Sequence, residues 1–124
     1  MKKTKMLKKN YEFKNVLSKG KYYSGSVIEA FIVKSNRKNN FLGIAISVKI
    51  AKAVKRNHIK RLIRENYYLL EESIKPGVMV VFLWKKKADL EKATFKTIKR
   101  DMKNILDKAD VLEENNEENT NLAD

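Results

Sequence analysis

The stretch "AVKRNHIKRLIRENYYLLEES", residues 53–73, constrains the fold more than any other. At 100° per residue, Arg56, Lys60, Arg64, Asn57 and Arg61 fall within an arc of about 140°. Ile59, Leu62, Ile63, Leu69 and Leu70 fall on the opposite arc. A helix divided in this way needs a second layer against its apolar side. Two strand-length apolar runs can supply that layer: "FLGIAISV" at 41–48 and "VMVVFLW" at 78–84. The sequence "KPG" at 75–77 closes the helix between them.

The rest of the chain fits the same two layers. "NYEFKNVLSKG" at 10–20 predicts a short helix, with Asn10 as N-cap, Phe13, Val16 and Leu17 on one side, and Gly20 as the stop. Residues 21–35 read as two strands broken near Gly25, and "NRKNN" at 36–40 as a turn. A last amphipathic helix near 89–108 carries Leu90, Phe95, Ile98, Met102, Ile105 and Leu106. The order is α-β-β-β-α-β-α, an α+β two-layer sandwich in one domain over residues 1–110. Residues 111–124, with five acids and no base, have the composition of a disordered tail.

Charge narrows the function. All 28 Lys and Arg precede residue 111, against 10 of the 15 acids, so residues 1–110 carry +18. A core this basic repels itself and attracts polyanions, nucleic acid above all. Like charges one turn apart destabilise a helix, and a merely solvated face would interleave Glu with Lys. Here no acid appears between Lys52 and Glu65, and Lys49, Lys52 and Lys55 extend the field into the preceding loop. No apolar run approaches the roughly 18 residues of a membrane span, and no apolar segment follows the basic N-terminus. The expectation is a cytoplasmic protein with no membrane partner.

Catalytic groups are scarce. Cysteine is absent, which removes thiol nucleophiles and zinc-thiolate sites. His58, the only histidine, stands beside the basic face without an evident orienting partner. The acids form no paired-carboxylate motif, Glu65 is expected to pair with Arg64, and there is no glycine-rich phosphate loop. Aromatic residues interleave with cations in the first third, the usual means of stacking single-stranded bases. Phe41 opens an apolar run and is expected in the core. Phe13 and Phe31 fit core and groove equally well.

The run "SVKIAKAVKRNHIKRLIRE" at 47–65 resembles the signature of the bacterial ribonuclease P protein subunit. Ala53-Val54, Arg56-Asn57, Lys60-Arg61 and Arg64-Glu65 stand in that family's register. The segments "LKKNYEFKNVLSKGK" at 7–21 and "FLGIAISV" are also similar to it, so the likeness covers about residues 5–108. Val48, Ala51 and His58 depart from residues common in the family. The resemblance implies a fold like domain 2 of ribosomal protein S5, with a left-handed β-α-β crossover. It also implies that an RNA subunit with bound Mg²⁺ performs catalysis, while the protein binds that RNA and the 5′ leader of precursor tRNA. The implied RNA-binding residues are Lys49, Lys52, Arg56, Asn57, Lys60, Arg61 and Arg64. The implied leader cleft is lined by Phe13, Leu17 and Phe31. No catalytic residue, metal ligand or cofactor is expected in the chain itself. A ribosomal-type or general RNA chaperone with the same sandwich would bind RNA without assisting cleavage. A DNA-binding regulator fits less well, because no second short helix accompanies the basic one.

Overall fold

A computed structural model describes residues 3–113. Its elements are β1 (Thr4–Met6), α1 (Asn10–Lys19), β2 (Lys21–Ser24), β3 (Ile28–Lys34), β4 (Asn40–Ala45), α2 (Ala53–Leu70), β5 (Val78–Trp84) and α3 (Phe95–Lys108). Single 3₁₀ turns lie at Glu71–Ser73 and Leu90–Lys92. The strands form one sheet in the order β1-β4-β5-β3-β2. β4 is parallel to β1 and β5, whereas β3 is antiparallel to β5 and β2. The connection from β4 to β5 is therefore a parallel crossover through α2, and it holds the basic helix against the sheet.

Alternation along the strands assigns their two faces. Ala30, Ile32, Leu42, Val80 and Phe82 point to one side and are buried with Ile59, Ile63 and Tyr67 of α2 and Ile98, Met102 and Ile105 of α3. On the other side, Val81 is buried with Val16 of α1 and Leu7, among residues that are only partly covered. α1 is the helix that crosses this second face.

Polar contacts lock the ends of the layers together. The Asp101 carboxylate of α3 accepts hydrogen bonds from the Val27 and Ile28 backbone N–H groups (2.6 and 3.0 Å) and from the Ser26 hydroxyl (2.8 Å). Burial pushes this carboxyl up, but those hydrogen bonds outweigh it and hold the group below its usual range. The buried Tyr67 hydroxyl lies 2.8 Å from Thr4 Oγ1, and the Lys3 N–H donates to Glu71 Oε2, tying β1 to the end of α2. Burial pushes the Tyr67 phenol up to about 12.

The observed elements correct the sequence reading at several points. β1 adds a strand before the first predicted helix; three residues containing Lys5 are too few to show a period. Lys9, not Asn10, is the N-cap residue of α1, and Glu12 accepts the Lys8 and Lys9 N–H groups (3.0 and 2.8 Å). The last helix begins at Phe95, because the Thr94 side chain accepts the Thr97 N–H and caps it there. The domain also passes residue 110. Asp110 takes a left-handed turn, Val111 is buried, and Leu112 bridges to Ile74. The Val111 carbonyl accepts the Lys75 N–H, and the Glu113 N–H donates to the Ser73 carbonyl. The remaining residues of the predicted tail, 114–124, lie outside the described residues.

Candidate nucleic-acid interface

The basic motif begins in the turn after β4, where the Lys49 N–H donates to Ser47 Oγ (3.2 Å). Lys52 is the N-cap residue of α2, and the first turn of the helix holds no acid. Cations at this end oppose the helix dipole, an arrangement that favours an anion in front of it. Lys49, Lys52, Asn57, Arg61 and Arg64 are exposed, and Lys60 is half-covered.

Arg56 differs from the others. It is half-buried, and its Nη1 donates to the Ala51 carbonyl at 2.7 Å, bracing the loop that carries Lys49 and Lys52. Arg56 stands at the edge of the basic arc, and the buried arc reaches that edge because Tyr67 lies almost in line with it. Glu65 pairs with Arg61 (Nε to Oε1, 3.7 Å), four residues away, rather than with Arg64. Leu69 is a second correction: it is 62% exposed and belongs to the outer surface, not to the apolar face. Asn66, polar by type, is buried in its stead, donating to the Leu62 and Phe95 carbonyls.

The second surface lies on the opposite face of the sheet. Phe13 and Leu17 of α1 and Phe31 of β3 pack around Val16 and Val81, but all three remain partly exposed. Phe31 faces Tyr22 across the β2–β3 ladder, with ring centroids 5.3 Å apart and planes tilted by 55°. Gly43 lies under Phe13: a Cβ built there would meet Phe13 Cε1 at 2.7 Å, so glycine lets that ring lie on the sheet.

Phe41, expected in the core, belongs to this open face. Its ring sits under the Arg37 guanidinium at 5.8 Å, beside Met79. Strand alternation was the signal for it: positions 41 and 43 of β4 share a face with 79, 81 and 83 of β5 and with Phe31. The Tyr22 hydroxyl donates to Glu29 Oε2 at 2.6 Å, which raises the phenol's pKa and occupies one carboxylate on this face. Aromatic rings partly open to solvent, with cations at the rim, suit a single nucleic-acid strand. His58 is half-covered, on the helix but outside the exposed row of cations. Among the described residues, no group of three or more His, Asp or Glu is placed to hold a metal ion. No helix among them is long and apolar enough to cross a membrane.

Comparison with known proteins places the whole domain in one family. The model of the family described as Ribonuclease P matches residues 1–110. The ribonuclease P protein component of Clostridioides difficile is 37% identical over 109 residues, covering 87% of this chain and 94% of that one. That of Clostridium botulinum strain Langeland is 38% identical over 106 residues, covering 85% and 94%. The solved RNase P protein of Staphylococcus aureus superposes with a TM-score of 0.75 at 27% identity, over 86% of this chain and 96% of that one. The protein from Thermotoga maritima gives 0.73 at 26% identity, over 82% and 94%.

Proposed function

Because the chain belongs to the ribonuclease P protein family, we propose that its two unlike surfaces bind two different RNAs. As a protein component it is a subunit of the ribonuclease P holoenzyme, which removes the 5′ leader of precursor tRNA, and its partner is the ribonuclease P RNA. The exposed face of α2, with Lys49 and Lys52 before it, is assigned to that RNA. Phosphate oxygens there meet Lys60, Arg61 and Arg64, while Asn57 can donate and accept at once. Arg56 acts by holding the loop through the Ala51 carbonyl. The cleft of Phe13, Leu17 and Phe31, widened by Phe41, is assigned to the 5′ leader. A base lying on those rings is gripped without regard to its identity, as a leader of variable sequence requires.

The observation that carries this reading is the separation of the two surfaces by the sheet: cations project from α2 on one side, and half-covered aromatics face solvent on the other. Discrimination of precursor from mature tRNA follows, because only the precursor has a strand to place in the cleft. Hydrolysis and its Mg²⁺ are assigned to the RNA subunit. This chain contributes counterion release and the grip on the leader.

Reconstituted cleavage tests the assignment. With the cognate RNA at low Mg²⁺, added protein should raise the cleavage rate; no effect would refute it. Arg64→Ala should weaken binding of the RNA subunit and reduce the log–log salt slope by about 1. Unchanged affinity and slope would return the basic face to a solvated surface.

A further inference from the structure

Beyond its last arginine, the basic face of α2 becomes aromatic. Tyr68 and Leu69 are 61% and 62% exposed, and Phe95, the first residue of α3, is 37% exposed. Together with Arg61, Arg64 and Glu65 they line a shallow groove between the two helices. Three large apolar side chains grouped on the surface of so charged a protein call for an occupant. Phe95 is held in place, because the amide of buried Asn66 donates to its carbonyl at 3.3 Å.

We propose that this groove receives one unstacked nucleobase of the ribonuclease P RNA, with its flanking phosphates on Arg61 and Arg64. The charge of the rim selects the occupant. Tyr68 lies four residues after Arg64 and seven after Arg61, so ring and guanidinium groups share one side of the helix. Glu65, the acid at the rim, is paired with Arg61. An apolar groove edged by arginine suits a base with a phosphate on either side, since the ring takes the base and the guanidinium takes the charge. The position favours the RNA subunit over the leader. The groove lies on the helix-covered side of the sheet, whereas the leader cleft lies on the other. The inference rests on the assignment of α2 to the RNA subunit.

The test uses full-length protein and the cognate RNA subunit. Tyr68→Ala should weaken binding about five- to a hundredfold, the range of one base–aromatic stack. Tyr68→Phe should bind as wild type, and Tyr68→Leu should fall with Tyr68→Ala. Because Tyr68 is exposed, none of these should lower thermal stability appreciably. In Tyr68→Trp, the introduced exposed indole should be quenched by the RNA subunit but not by precursor tRNA alone; Trp84, the native indole, is buried. Wild-type affinity in Tyr68→Ala, with Arg64→Ala still impaired, would overturn the groove and leave the assignment of α2 intact. Wild-type affinity in both would overturn the assignment itself. Self-association of the free protein, abolished by Tyr68→Ala, would place a second copy in the groove and also overturn the proposal.

Discussion

The two faces of the sheet are built from the same three central strands, yet they have different fates. On one side two helices cover the strands, and Ala30, Val80 and Phe82 are fully buried. On the other, a single short helix covers Val81 and leaves Phe31, Phe41, Met79 and Leu83 partly open. The first face supplies the stability that lets the second remain unfinished. On the proposed reading, sheet-facing apolar residues divide into those whose loss should unfold the protein and those whose loss should weaken binding of the leader.

The largest effect should come from the closed face. Phe82→Ala should cost about 3–5 kcal/mol in urea unfolding. Phe41→Ala, on the open face, should cost only about 1–2 kcal/mol, since much of that ring is not removed from water. Equal costs would erase the distinction between the faces. Next comes the tie between layers. Asp101→Ala leaves the Val27 and Ile28 N–H groups without their acceptor and should cost about 2–3 kcal/mol.

The same carboxyl sets an acid limit. Its folded pKa lies below the ordinary value of 3.8, so its stabilisation is complete above that value. It is lost as the pH falls through the lower folded value. Asp101→Asn should therefore flatten the acid limb of stability against pH. A limb as steep as wild type would show that other carboxylates set it.

Smaller effects sharpen the open face. Gly43→Ala places a Cβ against Phe13 and should weaken precursor binding about tenfold, while binding of the RNA subunit stays the same. Loss of both together would mean a general distortion. The smallest effect, about 1 kcal/mol of stability, is expected for Tyr67→Phe, which removes the contact with Thr4.

Much of this was legible in the residues. β5 coincides with the apolar run 78–84, and the break near Gly25 separates β2 from β3. The amphipathic division of α2 held for Ile59, Leu62 and Ile63, because helical period alone decides which side faces a sheet. Asn66 is buried where the period places it, despite its polar type, but the division failed at Leu69, near the end of α2, which the arriving α3 bypasses. Period could not report this, since α3 is distant in sequence. β1 escaped because its strand character comes from pairing with β4, not from its own three residues. Phe41 misled because an apolar run shows that a strand is buried without showing that one of its faces is only half-covered. Val111 resembles tail by composition only because acids crowd the chain after it, whereas its own side chain fills the core.

The claim that the open face distinguishes precursor from mature tRNA is tested most directly by one ratio. In the reconstituted holoenzyme, the affinity for precursor tRNA divided by that for mature tRNA should exceed one. Combining Phe13→Ala with Phe31→Ala should move that ratio at least about tenfold towards one, with mature tRNA bound as before. A ratio unchanged by the two substitutions, or equal losses for both tRNAs, would contradict the account.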